Sequence, residues 1–345
     1  VGALGFAYSI DVYRGSLVIA GGYNRIHNYN TLFGYSGFNP GPSYMDFAFS
    51  EPIVPNRVTQ DETLEINGNI AQLSLGSAYQ AGENLFLGAT VNYWTGQNNY
   101  NQVFNEIDLD NFYTVFPDDF DAYINDRIID TFISGFDIVV GAMFKFDSHV
   151  NLGITINSPR YITLEEEWAD VEDIIFDDGE FEQFADNGTF EYKVRMPFTF
   201  GVGGSYEFPN GLVTGEVRYT DWSQFDFQTD FPIDGITRTE ANRNIKRTVQ
   251  GVFSPRAGFE YVLPNNTSLR AGFSLVPNPL EDSRSENNRK YASFGLGFVF
   301  NGTTDFDIAY RRGWWESDIL SEFSNEFINE KHTDNRIFTS LKFKF

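Results

Sequence analysis

The feature that most constrains this chain is a period of two that persists through segments of about ten residues. Leu85, Leu87, Ala89, Val91 and Tyr93 alternate with Phe86, Gly88, Thr90, Asn92 and Trp94. Leu269, Ala271, Phe273 and Leu275 alternate with Arg270, Gly272 and Ser274, and Phe294, Leu296, Phe298 and Phe300 with Ser293, Gly295, Gly297 and Val299. Residues two apart share one face of a strand, so each segment has an apolar face and a small or polar one. Strands are expected near 3–13, 16–30, 70–79, 84–97, 131–146, 150–164, 190–207, 211–226, 245–262, 266–276, 289–300, 303–314 and 335–345. Many exceed the usual length of about 5–6 residues; a tilted strand crossing a bilayer needs about 9–11.

The connections alternate between short and long. Arg14-Gly15, Ala81-Gly82-Glu83-Asn84, Asp147-Ser148-His149, Pro209-Asn210-Gly211, Pro264-Asn265-Asn266 and Asn301-Gly302 read as tight turns, with Gly or Asn where φ must be positive. The long connections cover 31–69, 98–130, 165–189, 227–244, 277–288 and 315–334. One rim of turns and one of long loops is the pattern of a transmembrane antiparallel β-barrel of the bacterial outer membrane, with turns in the periplasm and loops outside. The expected fold is therefore all-β and multi-pass, one barrel domain over 1–345. Thirteen strands are visible, whereas such barrels have even numbers. The first and last strands both run toward the turn rim, so an upward strand is expected ahead of Val1, making 14. The terminal strand, with Ile337, Leu341, Phe343 and Phe345 on one face, resembles an outer-membrane assembly signal.

Composition narrows the partners. The mean hydropathy of −0.31, with no apolar run near the roughly 20 residues a helical span requires, excludes helical membrane proteins but not barrels. With 48 acidic against 24 basic residues the net charge is −24, which disfavours nucleic acid. No Cys is present, which removes disulfides and thiolate chemistry. The three His residues (His27, His149, His332) join no Ser or Asp constellation, and no G-x-S-x-G or H-E-x-x-H motif occurs, so an enzyme is not expected.

If the apolar faces meet lipid, Glu216, Arg218, Arg256, Glu260, Arg270, Asp305, Asp307 and Arg311 line the lumen, where they either pair across strands or guide a ligand. Tyr and Trp near strand ends, Tyr93, Trp94, Tyr219, Trp222, Tyr310, Trp314 and Trp315 among them, suit interfacial girdles. Two long connections, 98–130 and 165–189, hold 19 of the 48 acids and also many large apolar side chains. Phe112, Tyr113, Phe116, Phe120 and Ile124 in the first, with Trp168, Ile175 and Phe176 in the second, either cap the barrel or form a groove for a hydrophobic molecule. Phe120, Ile124 and Ile128 at i, i+4 and i+8 suggest a short helix. No cofactor is expected and no metal site is assigned. Asp118, Asp119 and Asp121, or Asp177, Asp178 and Glu180, offer oxygens that calcium could take, without EF-hand spacing.

Several stretches in order resemble the FadL/TodX (OmpP1) family of outer-membrane transporters for long-chain fatty acids and other hydrophobic compounds. They are Leu87-Gly-Ala-Thr-Val-Asn-Tyr93, Leu152-Gly-Ile-Thr-Ile-Asn-Ser-Pro159, Met196-Pro-Phe-Thr-Phe-Gly-Val-Gly-Gly-Ser-Tyr206 and Arg218-Tyr-Thr-Asp-Trp-Ser-Gln-Phe225. Arg256-Ala-Gly-Phe-Glu-Tyr261 and Leu269-Arg-Ala-Gly-Phe273 follow, then Pro277 and Pro279. The resemblance implies 14 strands, an N-terminal hatch, and a groove between the third and fourth extracellular loops, which are 98–130 and 165–189 here. It also implies an inward kink in the third strand that opens a lateral exit; Gly21-Gly22 in 16–30 is the candidate. The hatch motif is absent, since Asn39-Pro40 lies in a loop, so hatch and first strand are expected upstream of Val1. The function implied is passive uptake of fatty acids or aromatic hydrocarbons by loop-groove capture and lateral exit. One alternative is a FadL-like barrel serving a secretion or surface-assembly complex through a protein partner at its loops, and another is a plain diffusion porin. Outer-membrane lipid and lipopolysaccharide are further expected partners.

Overall fold

The computed structural model describes residues 2–13, 15–39, 58–114, 119–232, 235–300, 302–320 and 327–344. Arg14, Asn301 and Phe345 of the reading above lie outside them. The strands are β1 (Ala3–Ile10), β2 (Leu17–Asn28), β3 (Thr31–Asn39), β4 (Val58–Gln80), β5 (Leu85–Ile107), β6 (Phe120–Lys145), β7 (Val150–Asn157), β8 (Tyr161–Phe176) and β9 (Phe181–Arg195). There follow β10 (Thr199–Phe208), β11 (Gly211–Asp221), β12 (Asp226–Phe227), the helix α1 (Arg238–Thr248), β13 (Gly251–Val262), β14 (Ser268–Val276), β15 (Arg289–Phe300), β16 (Thr304–Leu320) and β17 (Phe327–Phe343).

These 17 strands form one sheet. β2 pairs with the lower half of β4 and β3 with its upper half; β7 and β8 divide β6 in the same way. β10 and β9 continue that division, and β11 and β12 follow them. Four wall strands are thus split into end-to-end pairs, which leaves the 13 wall strands read from periodicity. Among the described residues β1 pairs only with β2 and β17 only with β16.

The alternation explains the wall. Leu4, Phe6, Leu73, Leu75, Leu87, Val91, Phe294 and Leu296 are exposed on the outer face, where lipid replaces water and their burial costs nothing. The residues between them are small, polar or charged and face the lumen. Turn chemistry is equally direct: Gly15 takes φ +79°, and a Cβ there would lie 2.4 Å from the Gln80 carbonyl oxygen, so only glycine fits.

The long connections differ from expectation. β4, β5 and β6 run for 23, 23 and 26 residues, and β8 and β9 fill most of 165–189. The acidic segments are therefore tall hairpins that continue the wall beyond the apolar band. Ladder hydrogen bonds and polar cross-strand pairs hold them: Asn99 donates to Asp130 (2.7 Å) and Gln183 to Asp173 (2.8 Å). The short helix suggested for Phe120, Ile124 and Ile128 is strand β6. A bulge between Phe120 and Ala122 places Phe120 on the face of Tyr123, while Ile124 and Ile128 take the other face. A helix does form at 238–248, within segments read as loop and strand; the Thr237–Glu240 capping box starts it.

Candidate functional site

The upper hairpins bring part of the expected groove together as a closed core. Tyr113, Phe120 and Phe176 join Val58, Phe104, Tyr123 and Ile174. Tyr113 and Phe120 have ring centroids 4.9 Å apart, and Phe104 and Tyr123 6.4 Å. Beneath them Gln60 donates to the buried Glu106 at 2.6 Å, and the Tyr113 amide donates to Asp108 at 2.7 Å. These side chains fill a core rather than line an open groove. Phe112 stays exposed against Tyr113, and Ile175 takes the face opposite Ile174. Phe116 lies outside the described residues.

Trp168 does face the lumen, packed over Gly188, whose Cβ would lie 3.1 Å from the indole. Phe190 and Tyr192 share that inner face of β9, with centroids 6.0 Å apart. Tyr192 lies 6.0 Å from Phe227, which lies 4.7 Å from Phe231. Its hydroxyl donates to Glu166 at 2.8 Å. This half-buried aromatic patch was not predicted apart from Trp168, because Phe190 and Tyr192 read as ordinary strand residues.

Lower on the inner wall, Asp137 is buried and fully engaged. It accepts from Asn92 (2.7 Å), the Trp94 indole N–H (2.6 Å) and Arg160 Nε (3.0 Å). The Arg160 guanidinium lies 3.5 Å over the Trp94 ring. Arg160 reaches inward because β7 ends before Ser158-Pro159, where proline removes a ladder donor. Trp94 is therefore a buried inner-wall residue and not part of a lipid-facing girdle. Trp315 is also inward, stacked on His332 at 5.0 Å.

Below this network the lumen is asymmetric. From β2 to β10 the inner face here is mostly small and uncharged, with Thr90, Asn151 and Thr155 among its polar members: Ala20, Gly76, Gly88, Gly141, Gly153 and Gly203 border a cavity of about 610 Å³. From β11 to β17 it is ionic. All eight predicted lumen residues lie on the inner face by ladder register. Arg218 pairs with Glu216, Arg270 bridges Glu260 and Asp307, Asp305 meets Lys344 at 2.9 Å and Arg311 meets Asp334 at 3.3 Å. Arg256 stands opposite Glu216. The pairing reading of these charges is the one the geometry favours.

Gly21 and Gly22 are paired in register on both sides, with Phe6 and Gly5 in β1 and with Leu75 and Ser74 in β4. The expected kink is not at these glycines; the register of β2 shifts between Arg25 and His27. Gly21 faces outward and floors a lipid-side cleft of about 850 Å³ bordered by Leu4, Phe6, Tyr23, Leu75 and Val91. Among the described residues no three His, Asp or Glu side chains stand where they could hold one metal ion; Asp118 lies outside them. The two acidic runs do meet, where the Asp177 amide donates to the Asp119 carbonyl at 3.0 Å.

The family model described as outer membrane protein transport protein (OMPP1/FadL/TodX) matches residues 43–339. The chain belongs to that family. Its fold is that of the Pseudomonas putida toluene transporter TodX, with TM-score 0.54, 14% identity, and 99% of this chain and 82% of that one covered. A Pseudomonas aeruginosa FadL homologue gives 0.54 and 13% identity, over 94% and 77% of the two chains. The Ralstonia pickettii toluene transporter TbuX gives 0.53 and 13%, over 98% and 80%. No curated protein matches the chain. This FadL/TodX-family barrel resides in the outer membrane and crosses it by strands; among the described residues no helix is long and apolar enough to do so.

Proposed function

We propose that this barrel takes up hydrophobic small molecules and releases them sideways through its wall. One observation carries the reading. The apolar lumen cavity ends along β2 and β4 at Ala20 and Gly76, and the lipid-side cleft begins at the next residues of the same strands, Gly21 and Leu75, with Gly22 and Ser74 also bordering it. Only one layer of sheet, built here from small residues, separates lumen from lipid. An apolar molecule gains about 25 cal/mol per Å² by leaving water for such a surface. Trp168, Phe190, Tyr192 and Phe227 supply the first apolar contacts at the lumen mouth, and the cavity the next. The ion pairs of β11–β17 keep the other half of the wall charged, so an apolar cargo runs along β2–β10. Toluene and long-chain fatty acids are the substrate classes that the family relationship brings to the test.

Gly153 offers the cleanest block, because a Cβ there would meet nothing closer than the Ala142 carbonyl oxygen at 3.7 Å. Gly153→Trp therefore fills the cavity without forcing the wall. In cells lacking their own FadL-type transporter, the wild-type barrel is expected to support uptake of radiolabelled toluene or oleate, and Gly153→Trp to abolish it. Equal uptake by both proteins, at equal surface amounts, would overturn the proposal.

A further inference from the structure

Helix α1 is a cationic element on a strongly acidic chain. Arg238, Arg243, Lys246 and Arg247 are all exposed, and the helix's one acid, Glu240, closes the capping box with Thr237. Arg238 donates to the Gln228 carbonyl at 2.7 Å and Arg247 to the Asn244 side chain at 2.6 Å. Among the described residues none of the four forms an ion pair within 4.0 Å. Elsewhere basic side chains are mostly paired: Arg127, Arg160, Arg195, Arg218, Arg270 and Arg284 each hold a carboxylate. Apart from Arg243, which also acts on Glu240 within the helix, the α1 cations have no carboxylate of the described residues beside them and are left for something outside the chain.

Their height in the wall says what that is. Ladder pairing runs Tyr93–Phe136–Tyr161–Arg195–Asp226 across five strands, and the exposed Tyr93, Phe136 and Tyr161 mark the top of the outer apolar band. Phe136 and Tyr161 stack at 5.6 Å. Below this row Phe198 and Phe200 stack on the lipid face at 6.2 Å. A surface pocket of about 500 Å³ joins the levels, bordered by Arg195, Met196 and Phe198 below and Lys246 above. A second of about 630 Å³ continues it between β12 and α1, past Arg238, Arg243 and Arg247. Apolar rings below and unpaired cations just above are complementary to a lipid whose acyl chains end in a phosphate headgroup.

We infer that the outer face of α1 with Phe198 and Phe200 is a binding site for phosphate-bearing glycolipid of the outer leaflet, acyl chains on the rings and phosphate on Lys246, Arg243 and Arg247. The chain as a whole carries a net charge of −24, and the tall hairpins of β5–β6 and β8–β9 are acidic and repel such a headgroup, which favours the α1 side of the barrel for it. The inference rests on the outer-membrane location and not on the transported cargo.

The test uses the whole barrel in detergent with lipopolysaccharide as probe, either intact or with its lipid phosphates enzymatically removed, read by native mass spectrometry. Arg243→Gln/Lys246→Gln/Arg247→Gln is expected to retain intact lipopolysaccharide about tenfold or more weaker than wild type, since each cation at a charged membrane surface contributes several-fold. Lys246→Arg, which keeps the charge, is expected to bind like wild type and controls for folding. Dephosphorylated lipid is expected to bind wild type and triple variant alike. Equal retention of intact lipid by both proteins would overturn the inference. So would full displacement by inorganic phosphate, which would make this a plain anion site.

Discussion

Asp137→Ala probes the inner-wall network most directly. The wild-type carboxylate is 3% exposed and accepts from three donors. Alanine leaves the Arg160 guanidinium without its counter-charge and the Asn92 amide and Trp94 indole without their acceptor. Breaking a buried ion pair from one side costs about 3–5 kcal/mol. Three orphaned donors at about 1–3 kcal/mol each would reach higher, but lumen water can enter and satisfy some of them. A loss of about 4 kcal/mol is therefore expected. Urea unfolding of the barrel in lipid vesicles, followed by tryptophan fluorescence, measures it. Asp334→Ala is the comparison: Asp334 also faces two arginines, Arg311 and Arg336, at a site where water reaches them more freely, and exposed pairs contribute about 1 kcal/mol or less. Adding Arg160→Met to Asp137→Ala is expected to recover part of the loss, because the uncompensated charge then goes too. If Asp137→Ala costs no more than Asp334→Ala, Asp137 is effectively solvated in the lumen and the reasoning fails.

Three further outcomes follow from local geometry. Gly68 has φ +141°, and a Cβ there would lie 2.1 Å from the Gln97 carbonyl oxygen, so Gly68→Ala is expected to cost more than about 1 kcal/mol in the same unfolding assay, while Gly153→Ala stays within about 0.5 kcal/mol. Phe120 is 1% exposed in the upper core, and Phe120→Ala is expected to remove about 3–5 kcal/mol locally, seen as faster protease cleavage between β5 and β6 on intact cells with an unchanged barrel. Desolvation, with the carboxylates of Asp121, Asp108, Asp119 and Asp178, holds the Asp177 carboxyl above its ordinary range. The folded tip therefore binds that proton more tightly than the unfolded chain, and the β8–β9 tip loses stability as pH rises through this range. Asp177→Asn is expected to slow amide exchange at the tip at neutral pH, with the difference from wild type vanishing in acid.

Sequence alone determined the wall. A period of two in Leu85–Tyr93 or Phe294–Phe300 is a local property, since lipid outside and lumen inside act on successive side chains of one strand. The tight turns at Gly15 and Asn266 and the inner position of Glu216, Arg270 and Asp307 followed from the same alternation. The Thr237–Glu240 capping box is a helix signal carried by the sequence itself, set within a stretch whose neighbours read as loop and strand.

Tertiary structure alone decided the rest, because it depends on partners distant in sequence. The acidic segments look like loops, yet become hairpins once each finds a neighbour to complete its ladder. One bulge beside Phe120 reverses which residues of β6 face the core, and nothing in the spacing of Phe120, Ile124 and Ile128 reports it. Trp94 is interfacial by composition and buried by contact, since Asp137 reaches it from β6 and Arg160 from the β7–β8 connection. The charge of −24 belongs to the whole chain, but the unpaired cations of α1 stand out only when the fold sets them at the upper edge of the apolar band. Alternation acts over two residues, whereas pairing, bulges and the height of a side chain in the membrane are set by register between strands, which no single strand contains.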